Sequence, residues 1–117
     1  MIEALVSHIF ALRNLAHLAH WSTGNYAAHM ALGDFYEEIV EKIDAIVEIY
    51  QGRNALIGPV PPLVFDDADI IPRIREEMDW LSANRAAIAA GDEVIGNQLD
   101  ELGAIFGRAL YKLRFLS

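Results

Sequence analysis

The sequence predicts an all-α fold, a four-helix bundle that forms a single domain over residues 1–117. Hydrophobic residues make up 54% of the chain, which is enough to build a core. Apolar residues recur at intervals of three and four along four long segments, the spacing of helices with one buried face. All four prolines, Pro59, Pro61, Pro62 and Pro72, lie in one middle region. Because proline breaks helix interiors, the long segments on either side favour uninterrupted helices.

Two helices are predicted in the first half of the chain. The first covers about Ile2 to Trp21, and the second covers about Tyr26 to Gln51, with Gly52 as its expected stop. Between them, residues 22–25 have side chains that favour a helix N-cap. Because so short a connection joins neighbouring elements, the two helices are expected to be antiparallel.

A long crossover separates this pair from a second pair. Residues 53–65 are rich in Gly and Pro but also apolar, so they are expected to pack on the bundle or contact another subunit. The third helix is predicted to begin near Asp69, and the fourth follows Gly91 with Asp92 as its N-cap. A bundle with one long crossover is the arrangement of ferritin-like folds.

Composition excludes several classes of function. The net charge of −8 argues against a nucleic-acid partner, which requires clustered Lys and Arg. The absence of cysteine excludes disulfides, cysteine–zinc sites and iron–sulfur clusters. No apolar run is long enough to span a bilayer, and the N-terminus lacks the pattern of a signal peptide. A cytoplasmic protein without a membrane partner is therefore expected.

The first helix carries polar residues where its buried stripe should be. At about 100° per residue, His20, Arg13 and His17 lie inside or beside the apolar stripe. Buried polar groups need partners, so these three side chains are candidates for a site. His8 is interpreted differently, as a hydrogen-bonded histidine of the core.

The second helix places a histidine and several carboxylates along one edge of its buried stripe. The residues on this edge are His29, Glu37, Asp44 and Glu48. Asp44 and Glu48 are one turn apart, so they can hold a common ligand. Asp34 lies further round, and Glu38 and Glu41 are interpreted as a solvated face. Imidazole and carboxylate groups without sulfur are suited to iron, manganese or zinc. We therefore predict a metal site built from His20, His29, Asp44 and Glu48.

These residues belong to an ordered set of motifs. The set comprises His17–Trp21, Gly24, His29, Phe35–Ile39 and Asp44–Glu48. It resembles the signature of the Dps miniferritins, in which a His-Trp pair, a glycine, a second histidine and an Asp-x-x-x-Glu motif follow one another. The resemblance implies iron binding at a subunit interface. It implies that His20 and His29 come from one subunit, and that Asp44 and Glu48 come from its partner.

The chain departs from that pattern at two places. His20 and His29 are nine residues apart, a shorter spacing than is usual in the miniferritins. Gly33 stands where those proteins often have an aspartate one turn after the second histidine. Glu37 or Asp34 could replace that carboxylate, and His17 is a further auxiliary candidate.

Two functions of different classes follow. The first is a metal-binding protein that oxidises or sequesters Fe(II), mononuclear or di-iron, in a homo-oligomer of two or more copies; zinc or manganese are other candidate metals. The alternative is a non-enzymatic oligomeric bundle of unassigned, phage-related role. In this alternative His20, His29 and Arg13 pair with Asp44 and Glu48 without a metal. A structural site for zinc alone is a third candidate, and it predicts tight metal binding without oxidation of Fe(II).

Overall fold

The computed structural model describes residues 1–66 and 69–117, and within these it contains α-helices and no strand. The helices are α1 (Ile2–Ser22), α2 (Tyr26–Arg53), α3 (Ile70–Ala89) and α4 (Glu93–Phe115). The predicted four-helix bundle with one long crossover between the second and third helices is confirmed. None of the helices in the described part of the chain is both long and apolar enough to cross a bilayer.

The helices pack around one hydrophobic cluster to which all of them contribute. Helix α1 packs on α2, α2 packs on α4 and α4 packs on α3, whereas α1 and α3 are in less extensive contact. The largest fully buried side chains include Leu12, Phe35, Ile39, Ile74 and Phe106. The connections that join α1 to α2 and α3 to α4 are short, so each pair is antiparallel.

Side-chain caps fix where three of the helices begin. The Asn25 side chain accepts a hydrogen bond from the Ala28 amide at 2.8 Å, and Asp92 accepts one from the Val94 amide at 3.0 Å. Asp69 caps α3 in the same manner through the Ile71 amide. These contacts satisfy amides that have no partner within the helix, which is why the predicted N-termini are close to the observed ones.

The predicted stop at Gly52 is wrong, because α2 continues to Arg53. A glycine ends a helix by adopting a positive φ, and Gly52 does not adopt one. The C-cap is Asn54 instead. Its amide donates to the Tyr50 carbonyl at 2.8 Å, and its side chain donates to the same oxygen at 3.2 Å.

The crossover lies against the bundle, as the sequence predicts. Its Ile57, Val60 and Phe65 side chains pack on the core. The first helix holds its backbone, because Glu3 accepts from the Gly58 amide at 2.8 Å and the Ser7 hydroxyl donates to the Pro61 carbonyl. The crossover therefore forms a wall beside α1 and α2, and this wall borders part of the candidate site.

Candidate metal-binding site

His20 and His29 form a reciprocal pair across the junction of α1 and α2. The Nδ1 atom of His20 donates to the His29 carbonyl at 2.6 Å, and the Nδ1 atom of His29 donates to the His20 carbonyl at 2.8 Å. The two rings stack with centroids 3.7 Å apart and planes 17° from parallel. Because a carbonyl oxygen can only accept, each Nδ1 must carry a proton. In the neutral rings, both Nε2 atoms therefore keep a lone pair.

These two Nε2 atoms are not fully buried. Neither makes a hydrogen bond with a described residue, and neither is among buried polar atoms left without a partner. Histidines that bind metals usually fix one ring nitrogen through a carbonyl or carboxylate and coordinate with the other. The His20 and His29 pair has this arrangement twice, within one stacked unit.

Gly33 makes room for the His20 ring. A Cβ atom at position 33 would lie 3.1 Å from Cε1 and 3.3 Å from Nδ1 of His20. These distances are closer than ordinary van der Waals contact, so a side chain at position 33 would require the imidazole to shift by a few tenths of an ångström. The position at which the miniferritin pattern often has an aspartate is thus filled here by a ring from the neighbouring helix.

His17 and Arg13 extend the cluster along α1. The His17 ring stacks on Tyr36 at 4.3 Å and contacts Trp21 at 4.2 Å. The Arg13 guanidinium lies 5.1 Å from the centre of the Tyr36 ring and donates to the Asn14 side chain. Partial burial, together with the charges of Arg13 and His20, lowers the pKa of His17. This lowered pKa favours the neutral form of His17, and Arg13 contacts none of the predicted carboxylate ligands.

Asp44 and Glu48 lie at the edge of a groove farther along α2. The groove has a volume of about 470 Å³ and is otherwise apolar; it is lined by Val6, Phe10, Ile43, Val47, Ile57 and Val60. Both carboxylates are exposed, and neither makes a hydrogen bond or ion pair with a described residue. They are thus available to a ligand from outside the chain.

The histidines and the carboxylates of one chain lie apart. Fifteen residues of continuous helix separate His29 from Asp44, which corresponds to about 22 Å along the axis. In agreement with this distance, the described residues contain no group of three His, Asp or Glu that could hold a metal ion. The metal-free pairs of the alternative hypothesis are also not formed within one chain, because His20 and His29 donate to carbonyls instead.

The auxiliary carboxylates lie outside the histidine cluster. Asp34 lines a narrow crevice toward α4, together with Arg108 and Lys112. Glu37 is exposed on α2. Glu38 lies 3.6 Å from Arg108 on the surface, which agrees with its interpretation as part of a solvated face.

His8 belongs to a separate cluster between α1 and α3, and its predicted role as a hydrogen-bonded core residue is confirmed. Its Nδ1 atom lies 2.5 Å from the Glu77 carboxylate, and its ring stacks on Trp80 at 3.9 Å. The Arg73 guanidinium lies 3.5 Å from the other Glu77 oxygen and 4.2 Å from the centre of the Phe65 ring. Glu77 is therefore a buried carboxylate that contacts both the His8 ring and the Arg73 guanidinium.

Sequence reasoning missed Glu77, although a signal was present. Glu77 lies three residues after Ile74 and four residues before Leu81, both of which are buried. This spacing places it in the apolar stripe of α3, where an acidic side chain requires a partner. The same argument that singled out the histidines of α1 would have predicted a partner for Glu77.

Comparison with known proteins identifies a family. The model of the DUF5856 family, a family of unknown function, matches residues 20–113. The chain belongs to this family. The stretch matched by the DUF5856 model begins at His20 and includes His29, Gly33, Asp44 and Glu48, whereas His8 lies before it. Comparisons with curated proteins and with solved structures gave no match.

Proposed function

We propose that the protein binds Fe(II) at sites shared between two copies of the chain, and that it oxidises or sequesters the iron. His20 and His29 of one copy each supply one nitrogen ligand, to separate ions while their rings stay stacked, and Asp44 and Glu48 of the other copy supply carboxylates. The observation that carries this proposal is the reciprocal histidine pair, which fixes both Nδ1 atoms and leaves both Nε2 atoms accessible and without a hydrogen bond to a described residue.

A second copy is needed because each half of the ligand set is incomplete. Two imidazoles alone leave most of the coordination positions of a divalent ion open. Asp44 and Glu48 are exposed carboxylates one turn apart, so together they can bind a cation. They have no partner among the described residues, so they too need ligands from elsewhere. The resemblance to the miniferritins supports the same division of ligands between subunits.

In this proposal the protein positions the metal ion and takes no part in proton transfer. Neutral imidazoles and carboxylates would hold Fe(II) with open positions, where dioxygen or hydrogen peroxide could take an electron from it. The lowered pKa of His17 disfavours a further positive charge beside the cation, although Arg13 remains nearby. Arg13 is the feature that favours the metal-free bundle, because a fixed cation beside a metal ion is unfavourable.

Thermal unfolding with and without Fe(II) tests the proposal. In the absence of oxygen, saturating Fe(II) should raise the melting temperature of the wild type by about 10 °C through mass action. His29→Ala should abolish this rise. His8→Ala is the matched control, since it should melt at a lower temperature in both conditions and keep the Fe(II)-dependent rise. Admission of air should then oxidise the iron faster with the wild type than with His29→Ala.

Other outcomes separate the competing functions. If Zn²⁺ raises the melting temperature but the protein does not accelerate Fe(II) oxidation, the result would favour a structural zinc site over a ferroxidase. A wild type that does not respond to any divalent metal, combined with a less stable His29→Ala, would favour the metal-free bundle.

Mixing two inactive variants tests whether the ligands come from different copies. His29→Ala and Glu48→Ala should each lose Fe(II) binding on their own. A mixed dimer of these two chains retains one intact site, because one copy still has its histidines and the other still has its carboxylates. Recovery of Fe(II) binding in the mixture is expected, whereas no recovery would contradict the division of the ligands between two copies.

A further inference from the structure

The groove beside Asp44 and Glu48 has the composition of a small-molecule site. Its volume of about 470 Å³ lies in the range of pockets that hold such ligands. Pockets of this kind are mostly apolar and carry a few polar groups that orient the ligand. Here the two carboxylates are the charged groups among the described residues that line the groove. The rest of the lining is apolar and comes in pairs from α1, α2 and the crossover: Val6, Phe10, Ile43, Val47, Ile57 and Val60.

Hydrogen bonds hold the crossover wall of this groove in place. The Glu3 side chain accepts from the Gly58 amide at 2.8 Å, and the Gln51 side chain accepts from the Ile57 amide at 3.1 Å. The wall is therefore formed before any ligand arrives, and binding orders little of the chain.

The two carboxylates of the groove are left without a cation. Asp44 and Glu48 are exposed, and neither makes a hydrogen bond or ion pair with a described residue. Lys42 is the cation nearest to them in the sequence, but it donates to side chains of α4 instead, those of Gln98 and Glu101. Two negative charges thus lie beside an apolar surface, which is a combination that complements a ligand with an apolar body and a positive charge.

We propose that the groove binds a small organic cation. Its apolar body lies in the groove against Phe10, Val47 and Val60, and its ammonium group donates to Asp44 and Glu48. An ammonium group has three donors, so it can bond to two carboxylates that lie one helical turn apart. The net charge of −8 attracts cations and repels anionic ligands. This site needs one copy of the chain, so it does not rest on the proposed function.

The length of the groove favours a small molecule over a protein partner. The lining residues of α2 run from Ile43 to Glu48, which corresponds to about 7.5 Å along the helix axis. Those of α1, Val6 and Phe10, are one turn apart. A specific protein interface covers roughly 800 Å² of each partner, far more than such short segments offer.

Calorimetric titration with octylammonium tests the site, with octanol and octanoate as ligands that share its alkyl chain. Octylammonium should bind, octanol should bind at least tenfold more weakly, and octanoate should not bind. In the double variant Asp44→Asn, Glu48→Gln, octylammonium should bind at least tenfold more weakly than in the wild type. The proposal is overturned if octylammonium does not bind to the wild type, or binds no more tightly than octanol.

A second double variant controls for overall charge. Asp79→Asn, Glu93→Gln also removes one exposed aspartate and one exposed glutamate, but these residues lie on α3 and α4 and do not line the groove. It should bind octylammonium as tightly as the wild type does. Equal losses in the two double variants would show that net charge alone attracts the ligand, and would overturn the site.

The apolar half of the site is tested at Val60. This half-buried residue lies on the crossover, so a larger side chain can fill the groove without replacing a residue of a helix. Val60→Trp should weaken octylammonium binding at least tenfold, and its melting curve checks that it folds. In the wild type, the methyl resonances of Ile43, Val47 and Val60 should shift as octylammonium is added. Unchanged resonances at these residues would place the ligand elsewhere and overturn the proposal.

The groove site and the iron site use the same carboxylates, and they can fail separately. If both exist, saturating octylammonium should reduce the Fe(II)-dependent rise in melting temperature, because an ammonium group and a metal ion exclude each other there. Octylammonium binding that requires Asp44 and Glu48, without any response to Fe(II), would support the groove site and remove the iron site. Fe(II) binding without octylammonium binding would leave the iron site and overturn the groove site.

Discussion

The two histidine clusters of the bundle satisfy their polar groups in opposite ways. His8 lies between α1 and α3 and contacts the buried carboxylate of Glu77, so its Nδ1 atom meets a charged side chain inside the protein. His20 and His29 lie between α1 and α2 and donate only to main-chain carbonyls. They therefore make no hydrogen bond to a carboxylate of the same chain. In the first cluster the bonded ring nitrogen meets a carboxylate of the same chain, whereas in the second both bonded nitrogens meet main-chain carbonyls. A histidine near a core is thus informative only once the partner of each nitrogen is known.

The largest effect on stability is expected in the His8 cluster. Glu77→Ala would leave the Arg73 guanidinium and the His8 ring without the carboxylate that they share. Removal of one member of a buried charged pair should lower the free energy of unfolding by about 3 kcal/mol. Denaturant unfolding measures this loss.

Glu76 supplies the control for that experiment. It contacts the same Arg73 at 3.0 Å but is 63% exposed. Glu76→Ala should change the free energy of unfolding by no more than about 0.5 kcal/mol, as is usual for exposed ion pairs. Similar losses for the two variants would contradict the view that burial makes Glu77 important.

The second prediction concerns Gly33 and affects metal binding more than stability. In Gly33→Ala the new methyl group would press on the His20 ring, which is held between Gly33 and His29. Because the orientation of a ligand is set by its supporting contacts, binding of Zn²⁺ or Fe(II) should weaken about tenfold or more. Isothermal titration with Zn²⁺ measures the change.

Gly107→Ala is the matched control, because a Cβ atom there meets nothing within 4 Å. It should leave Zn²⁺ binding unchanged and stabilise α4 by up to about 1 kcal/mol, since alanine favours helix more than glycine does. Unchanged Zn²⁺ affinity in both variants would show that the His20 ring does not need this space.

The smallest effect is a pH dependence that comes from His17. Because its pKa is lowered in the folded protein, the unfolded chain binds a proton at a pH where the folded chain does not. Stability from this group is therefore full above the unfolded pKa and decreases as the pH falls through the folded pKa. Metal-free His17→Gln should lose less stability than the wild type as the pH is lowered from 7 through the histidine range. Melting curves at a series of pH values measure the difference, and parallel curves would contradict it.

Sequence patterns predicted the elements of the fold better than the contacts of the site. Apolar periodicity and the capping residues Asn25 and Asp92 placed the helices, because both signals depend on neighbours in the sequence. The pattern also placed His20 and His29 toward the neighbouring helix. The pattern did not show that each imidazole would donate a hydrogen bond to the carbonyl of the other histidine. That contact depends on how far one helix is shifted along its axis relative to the other.

The predicted ligand set is divided along the helix axis, which the sequence pattern did not show. Helical angles correctly put Asp44 and Glu48 on one edge of α2, but an angle contains no information about distance along the axis. The structure supplies that distance, and it separates the carboxylates from the histidines of the same chain. Whether they meet across two chains depends on an interface, which periodicity within one chain does not encode.

The short turn between α1 and α2 sets the register of the reciprocal pair. His20 lies two residues before the end of α1, and His29 lies three residues after the start of α2, so the two backbones are level only when the turn has its present length. A shift of α2 along its axis relative to α1 would move each carbonyl out of reach of the opposite ring. The combination of a histidine, a second histidine nine positions later and a glycine four positions after that is therefore a recognisable fingerprint. Chains that share it should fold their turn in the same way.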